Sequence, residues 1–288
     1  MSDGFSLVLD AQCALAESPV WWAAAGKLVF VDITGQRLHR FDPRTGQHEV
    51  DVVAEDIGCV APAQGGGYVA GLRSGLWLLD AAGAKMRQLA VNPENAATHR
   101  FNDGRVDPRG RYLSGTLDES KANGDAGLYR FDRSGVAKLM DGVMTANGLA
   151  FSPDGRTLYF SDTPRFVIYR FDYDLETGAA INRRVFARIE PTATDRGRPD
   201  GAAVDVDGCY WSSLYEGARI RRYDPDGKIM SEHHVPALNT TMPSFGGADM
   251  KTLFVTTARD KKGGPGGGVY AMPVDVPGVP GTLFDPQS

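Results

Sequence analysis

The sequence predicts an all-β protein, a six-bladed β-propeller of four-stranded blades. Three observations lead there: dense turn punctuation, short apolar runs in place of helical periodicity, and a two-part strand motif that recurs six times. The chain of 288 residues carries 35 glycines and 17 prolines along its whole length. Few segments space apolar residues at the helical period, and short runs bounded by turns dominate instead.

The first part of the motif is a short apolar strand: 27–32, 68–71, 111–115, 157–162, 209–213 and 252–257. Its leading large apolar residues are Leu28, Tyr68, Tyr112, Leu158, Tyr210 and Leu253, in steps of about 40 to 52 residues. The second part follows each time, as in Leu38 to Asp42, Leu76 to Asp80, Leu128 to Asp132, Ile168 to Asp172 and Ile220 to Asp224. A weaker copy runs from Val269 to Met272. Turn signals such as Pro43 to Gly46 and Pro225 to Gly227 then lead to a last strand. Six copies of a unit this long are the signature of a propeller, because one blade cannot bury both faces of its own sheet. The run Phe5 to Leu9 has no place in the first blade and is expected to join the last one, closing the ring. Residues 1–288 are expected to form a single domain.

Composition excludes several classes. The net charge of −5, with Lys and Arg scattered, argues against nucleic acid, which asks for a clustered basic face. Lys261 and Lys262 sit in a Gly-rich loop and read as a solvated tip. No run approaches the roughly 20 apolar residues of a membrane span, and no secretory signal opens the chain. Cys13, Cys59 and Cys209 are odd in number and far apart; they read as buried small hydrophobes in a reducing compartment, so the expected location is cytoplasmic. A closed propeller has no free edges, which leaves a monomer or a weak homo-oligomer.

Residues that begin the innermost strands of a propeller converge at one mouth of the central channel. Counting back about ten or eleven residues from the apolar anchors gives Glu17, Asn102, Asn147 and Asp200. In the second and sixth blades the count lands near Gly58 and Pro243, which offer no ligand. Asn and Asp ahead of Gly also make ordinary turns, and each of Asn102, Asn147 and Asp200 allows that. Four oxygen-bearing side chains at one repeat phase form a cluster that suits a hard divalent cation. No Gly-x-Ser-x-Gly elbow, His-x-x-x-His or Cys-x-x-Cys is present. His39, His233 and His234 fall in outer strands; His99, next to Arg100, is the histidine nearest the expected pocket.

The same segments resemble the gluconolactonase, senescence-marker-protein (regucalcin) and luciferin-regenerating family. They are Ala16 to Trp21, Arg100 to Asp107, Asn147 to Ala150, Pro199 to Gly201, Phe245 to Gly247 and Thr256 to Arg259. The resemblance covers about Glu17 to Ala271. It implies one divalent cation (Ca²⁺, Zn²⁺, Mg²⁺ or Mn²⁺) held by Glu17, Asn147 and Asp200, with Asp200 also the general base. It further implies substrate contacts from Arg100 and Asn102. Members similar to regucalcin carry a substrate-contacting glutamate shortly after Gly115-Thr116; equal spacing lands on Ser120 here, with Glu119 beside it. Glu119 is therefore the expected third contact, on a polar loop 118–125 that reads as part of a lid.

The implied activity is hydrolysis of a small sugar-acid lactone to the aldonic acid, the cation acting as Lewis acid. Two alternatives stand beside it. One is a non-enzymatic propeller that binds a protein partner on its rim. The other is a related metal-dependent esterase or phosphotriesterase, which asks for a more apolar pocket.

Overall fold

The computed structural model describes residues 4–121 and 123–288. A short strand, β1 (Ser6–Leu9), precedes the first blade, β2 (Ala16–Trp22), β3 (Lys27–Asp32), β4 (Arg37–Phe41) and β5 (His48–Val52). The second is β6 (Ile57–Pro62), β7 (Tyr68–Leu72), β8 (Gly75–Leu79) and β9 (Lys85–Val91). The third is β10 (His99–Val106), β11 (Tyr112–Asp118), β12 (Ala126–Asp132) and β13 (Gly135–Val143). The fourth is β14 (Ala146–Phe151), β15 (Thr157–Asp162), β16 (Val167–Tyr173) and β17 (Ala180–Arg188). The fifth is β18 (Arg198–Val204), β19 (Tyr210–Tyr215), β20 (Arg219–Tyr223) and β21 (Ile229–His234). The last contains β22 (Thr240–Gly246), β23 (Thr252–Thr257) and β24 (Val269–Pro273), with β1 antiparallel to β24 as its outer strand. This is the six-bladed, four-stranded architecture that the repeat predicts. The only helical turn among the described residues is a 3₁₀ turn at Thr163–Arg165, and no helix is long and apolar enough to cross a membrane.

The innermost strands β2, β6, β10, β14, β18 and β22 pack side by side in that order, with β22 against β2. Six apolar clusters lie between neighbouring blades. Val29, Val31 and Leu38 of the first blade meet Ile57, Val60 and Tyr68 of the second. Phe254 and Val269 of the last meet Leu28 and Phe30 of the first. Each fully buried side chain of this kind contributes roughly 1.5–3 kcal/mol. Inner strands therefore lack the alternation of a half-exposed sheet and are buried along their length in β6, β7 and β11, while the outer β5, β9 and β13 face water.

Aspartates close the blades. Asp42, Asp80, Asp132 and Asp224 accept backbone N–H bonds from the turn that follows the third strand. In the fourth blade the strand runs further than its sequence repeat, and Asp174, not Asp172, makes this turn; Asp172 pairs with Arg184 instead. The three cysteines are buried and free, as their isolation predicts.

The chain beyond β24 crosses the far mouth of the channel. Val279 N–H donates to the Val204 carbonyl, Phe284 N–H to that of Pro62, and Asp285 N–H to that of Gly110. This segment thus straps the fifth, second and third blades, and Phe284 is buried in the apolar cluster between the last two of these.

One buried polar stack has a pH consequence. His39 lies 4.6 Å from the Phe30 ring and, through Nδ1, 2.9 Å from His48 Nε2. Burial first, and then His48, pushes the His39 pKa down to about 4. As pH falls from about 6.5, the unfolded chain takes up this proton before the folded one. The stability present above that pH is therefore lost progressively toward pH 4. The thermal midpoint is expected to fall across this window, and more shallowly in His39→Phe; parallel curves for the two proteins would reject the assignment.

Candidate active site

All six innermost strands carry a register shift against their neighbour at the same place. The shifts fall at Glu17/Val20, Ile57/Cys59, Phe101/Gly104, Asn147/Ala150, Pro199/Ala202 and Thr240/Pro243. A bulge re-aims the side chains beside it, and here it turns a polar residue toward the channel mouth in four of the six strands. Glu17, Asn102, Asn147 and Asp200 sit at four of these bulges. At the fifth, Gly58 leaves no room for a side chain: a Cβ there would lie 2.2 Å from the Phe101 carbonyl oxygen. At the sixth, the bulge includes Thr241, whose hydroxyl is used on the Ala16 carbonyl, 2.6 Å away.

A cavity of about 670 Å³ opens over this mouth. Glu17, Arg100, Asn102, Asn147 and Asp200 all line it, and all five are buried. Arg100 Nη1 donates to Asn102 Oδ1 at 2.8 Å; Asn102 Nδ2 donates to Asn147 Oδ1 at 2.9 Å; Asn147 Nδ2 donates to Thr163 Oγ1 at 2.8 Å. Thr163 then donates to the Pro199 carbonyl at 2.7 Å, next to Asp200. This chain of bonds spans three blades and fixes both amide orientations. Two strand-end carboxylates anchor the approach. Asp32 accepts the N–H groups of Ala14 and Leu15, just before Glu17, and Asp162 those of Met144 and Thr145, just before Asn147.

The electrostatics are strained. Burial pushes the Glu17 carboxyl well above the usual range, and the Asp200 and Asp103 carboxylates add to the rise. Asp200 is raised by burial and then by Asp103. Asp103 is itself pushed up to about 6 by burial. Its Oδ2 accepts the Leu149 N–H at 2.8 Å, while its buried Oδ1 has no hydrogen-bond partner. Three carboxyls thus share one poorly solvated region, an arrangement that favours either protons or a cation between them. Two carboxylates and an amide oxygen are hard donors of the kind a divalent cation takes.

Glu119 stands apart from the cavity lining, its carboxylate engaged by Arg73 at 2.7 Å. Ser120 is turned back on Asp118, with its hydroxyl 2.7 Å from both carboxylate oxygens. Of the expected loop 118–125, Ala122 lies outside the described residues. His99 does not line the cavity; its Nε2 meets Asp125 at 3.0 Å and its Nδ1 meets Thr98 at 2.9 Å. It ties the loop to β10. Lys261 and Lys262, read above as a solvated tip, are exposed but line the cavity's rim. Three further residues went unassigned at the level of sequence: Asp103, Thr163 and Arg198. For Arg198 a signal exists: it stands two residues before Asp200, as Arg100 stands two before Asn102, and both line the cavity.

A family model described as the SMP-30/Gluconolactonase/LRE-like region matches residues 15–259. The chain is 42% identical to a 6-deoxy-6-sulfogluconolactonase of Pseudomonas putida, over 99% of each chain. It is 36% identical to the regucalcin of Xenopus laevis, over 94% of each. Among solved structures, the calcium-binding protein regucalcin of Agrobacterium tumefaciens matches with a TM-score of 0.90 at 26% identity, covering 96% of each chain.

The close approach of inner strands behind the site makes a sharp demand on Gly148. Its φ is +65°, and a Cβ there would lie 2.4 Å from the Tyr210 hydroxyl oxygen. Gly148→Ala is expected to cost about 2 kcal/mol or more in urea unfolding. A cost under about 0.5 kcal/mol, an ordinary surface value, would show that the two strands yield freely.

Proposed function

The chain belongs to the SMP-30/gluconolactonase/LRE-like family, and from that premise we propose that it is a divalent-metal-dependent lactonase, opening the ester of a sugar-acid lactone to the free aldonic acid. The observation that carries this reading is the group of buried carboxyl and amide side chains at the floor of a cavity of about 670 Å³, within the size range of small-molecule sites. The lactonase named among the relatives supports the reaction, and the calcium-binding regucalcin supports a divalent cation.

Glu17, Asn147 and Asp200 are the residues that would hold the cation. Their fit rests on the donor set, on the mutual repulsion of the buried carboxyls, and on the orphaned Oδ1 of Asp103, whose charge raises both Glu17 and Asp200. When bound, a divalent cation supplies Lewis-acid polarisation of the lactone carbonyl. The protein's own groups do the rest. Asp200 accepts a proton from water as the water oxygen bonds to the carbonyl carbon. The bond from that carbon to the ring oxygen then breaks, and the ring oxygen takes the proton back from Asp200. Well-placed general acid–base help of this kind contributes about 10²–10⁴-fold. Arg100 donates to substrate oxygens, and Asn102, oriented by Arg100 and Asn147, positions a hydroxyl. A substrate contact from Glu119 requires it to leave Arg73. A phosphotriesterase would call for a more apolar wall than one lined by Arg100, Lys121, Arg198 and Glu216.

Chelation is expected to abolish lactone opening, read as acid release, and added Ca²⁺ or another divalent salt to restore it. Asp200→Asn should lose at least about 10²-fold in kcat; near-normal turnover in that variant would remove Asp200 as the base. Thr163→Val removes the acceptor that fixes Asn147 and should weaken the cation by about 10–100-fold, measured by calorimetry.

A further inference from the structure

We propose that the cavity is built for a lactone carrying a fixed anionic group, a sulfonate or a carboxylate, remote from the reacting carbonyl, and that Lys121 and Arg198 select it. This rests on the lactonase reading and narrows its substrate class.

The lining supplies the first observation. Seven Lys and Arg side chains face four Asp and Glu side chains in this cavity, in a chain whose net charge is −5. Two of the four acids, Glu17 and Asp200, belong to the proposed cation position, where a dication offsets them. Glu216 and Asp260 are what remains against the basic wall.

Arg198 and Lys121 are the specific elements of that wall. Arg198 lies at the start of β18, its guanidinium 5.0 Å from the Tyr215 ring centroid and its Nη2 3.2 Å from Glu216. Its Nε is buried and has no hydrogen-bond partner. A guanidinium held by a ring and one carboxylate is pre-oriented to offer its remaining N–H groups to a planar or tetrahedral oxyanion. Lys121 sits in the left-handed backbone region, with φ +52°, in a turn closed by its own N–H to the Asp118 carbonyl at 2.9 Å. That turn brings the Lys121 side chain over the cavity although the residue is exposed overall. Its pKa is lowered, by desolvation first and then by Arg198 and Arg100. Lys121 and Arg198 repel each other across this space, Glu216 and Asp200 offset that only in part, and an acceptor-only group placed there relieves both.

The same loop explains why a neutral polyol is the poorer match. At the position where the family resemblance implies a glutamate, this chain has Ser120, which is occupied with Asp118. Ammonium and guanidinium groups donate and never accept. They cannot take the hydroxyl hydrogens that a glutamate would accept, whereas they satisfy a sulfonate or carboxylate fully.

The test compares three lactones under the same divalent salt: gluconolactone, a glucarolactone with a free carboxylate, and 6-deoxy-6-sulfogluconolactone. The proposal expects kcat/KM for at least one charged lactone to exceed that for gluconolactone by roughly tenfold or more. That ratio should collapse by a similar factor in Lys121→Met and in Arg198→Met, and shrink with added salt. Which charged lactone leads separates carboxylate from sulfonate recognition. Calorimetry with glucarate against gluconate gives a readout free of turnover, in which the extra carboxylate should tighten binding in the wild type and not in Lys121→Met. Gluconolactone opened with no charged preference, and glucarate bound no better than gluconate, overturns the anionic site and leaves the lactonase standing. No lactone opened, yet glucarate preferred through Lys121, overturns the lactonase and leaves the anionic site.

Discussion

Each blade is a sheet with two apolar faces that it cannot bury alone. Every other feature of the molecule follows from the six interfaces that solve this problem. Val31 against Ile57 and Phe254 against Phe30 belong to clusters of the same kind, repeated around the ring. Because both faces are covered, the inner strands lose the alternation of a half-exposed sheet. They are buried along both faces and crowd together at the centre. The crowding leaves little room for side chains between neighbouring inner strands, so glycine follows or replaces the polar residue at several bulges. Gly58 and Gly148 are the clearest cases, each with a neighbour's oxygen within 2.5 Å of where a Cβ would be.

The same geometry concentrates polar groups where the packing ends. A bulge at one level of six strands aims Glu17, Asn102, Asn147 and Asp200 at one mouth, and the hydrogen-bond chain through Thr163 holds the amides rigid. The energetic cost is visible in the carboxyls. Glu17, Asp103 and Asp200 are raised by burial, Glu17 further by Asp200 and Asp103, and Asp200 further by Asp103, so the folded ring carries an electrostatic strain at its centre. Such strain is tolerable because the apolar interfaces surrounding it are extensive, and it is the kind of local conflict that marks a functional position.

Much of this was legible in the sequence, for a physical reason. A propeller repeats one packing problem six times, so the apolar anchors from Leu28 to Leu253 and the third-strand pieces recur in phase. The four mouth residues were reached by the same counting. What the repeat could not reveal lies in segments that do not repeat. The strap beyond β24, with Phe284 buried between two blades, has no counterpart elsewhere in the chain. Asp174 took the turn role in place of Asp172 because one strand is longer than its repeat. Lys261 and Lys262 read as a solvated tip because a loop's exposure says nothing about which mouth it overhangs. The partner of Glu119 is Arg73, from another blade, and no local pattern signals it.

The division between repeating and unique parts maps onto two kinds of chemistry. On the proposed reading, the groups that handle the reacting carbonyl sit on strand bulges, where the ring fixes them in the same frame. Groups that read the remainder of the substrate sit where strands begin or in loops: Arg198 at the head of β18 and Lys121 in the turn after β11. Catalytic geometry is therefore tied to the stability of the whole fold, while the recognised substituent can change through one loop residue. The two zones also differ in sign, with acids at the floor and bases on the wall. A substrate with an electron-rich carbonyl at one end and an anion at the other meets opposite fields at its two ends. On that reading the floor would bind the carbonyl only once a cation had offset its carboxyls, whereas the wall would attract the anion with or without one. Encounter with the wall can thus precede alignment over the floor, and the separation of the two charges along the lactone decides which substrates satisfy both.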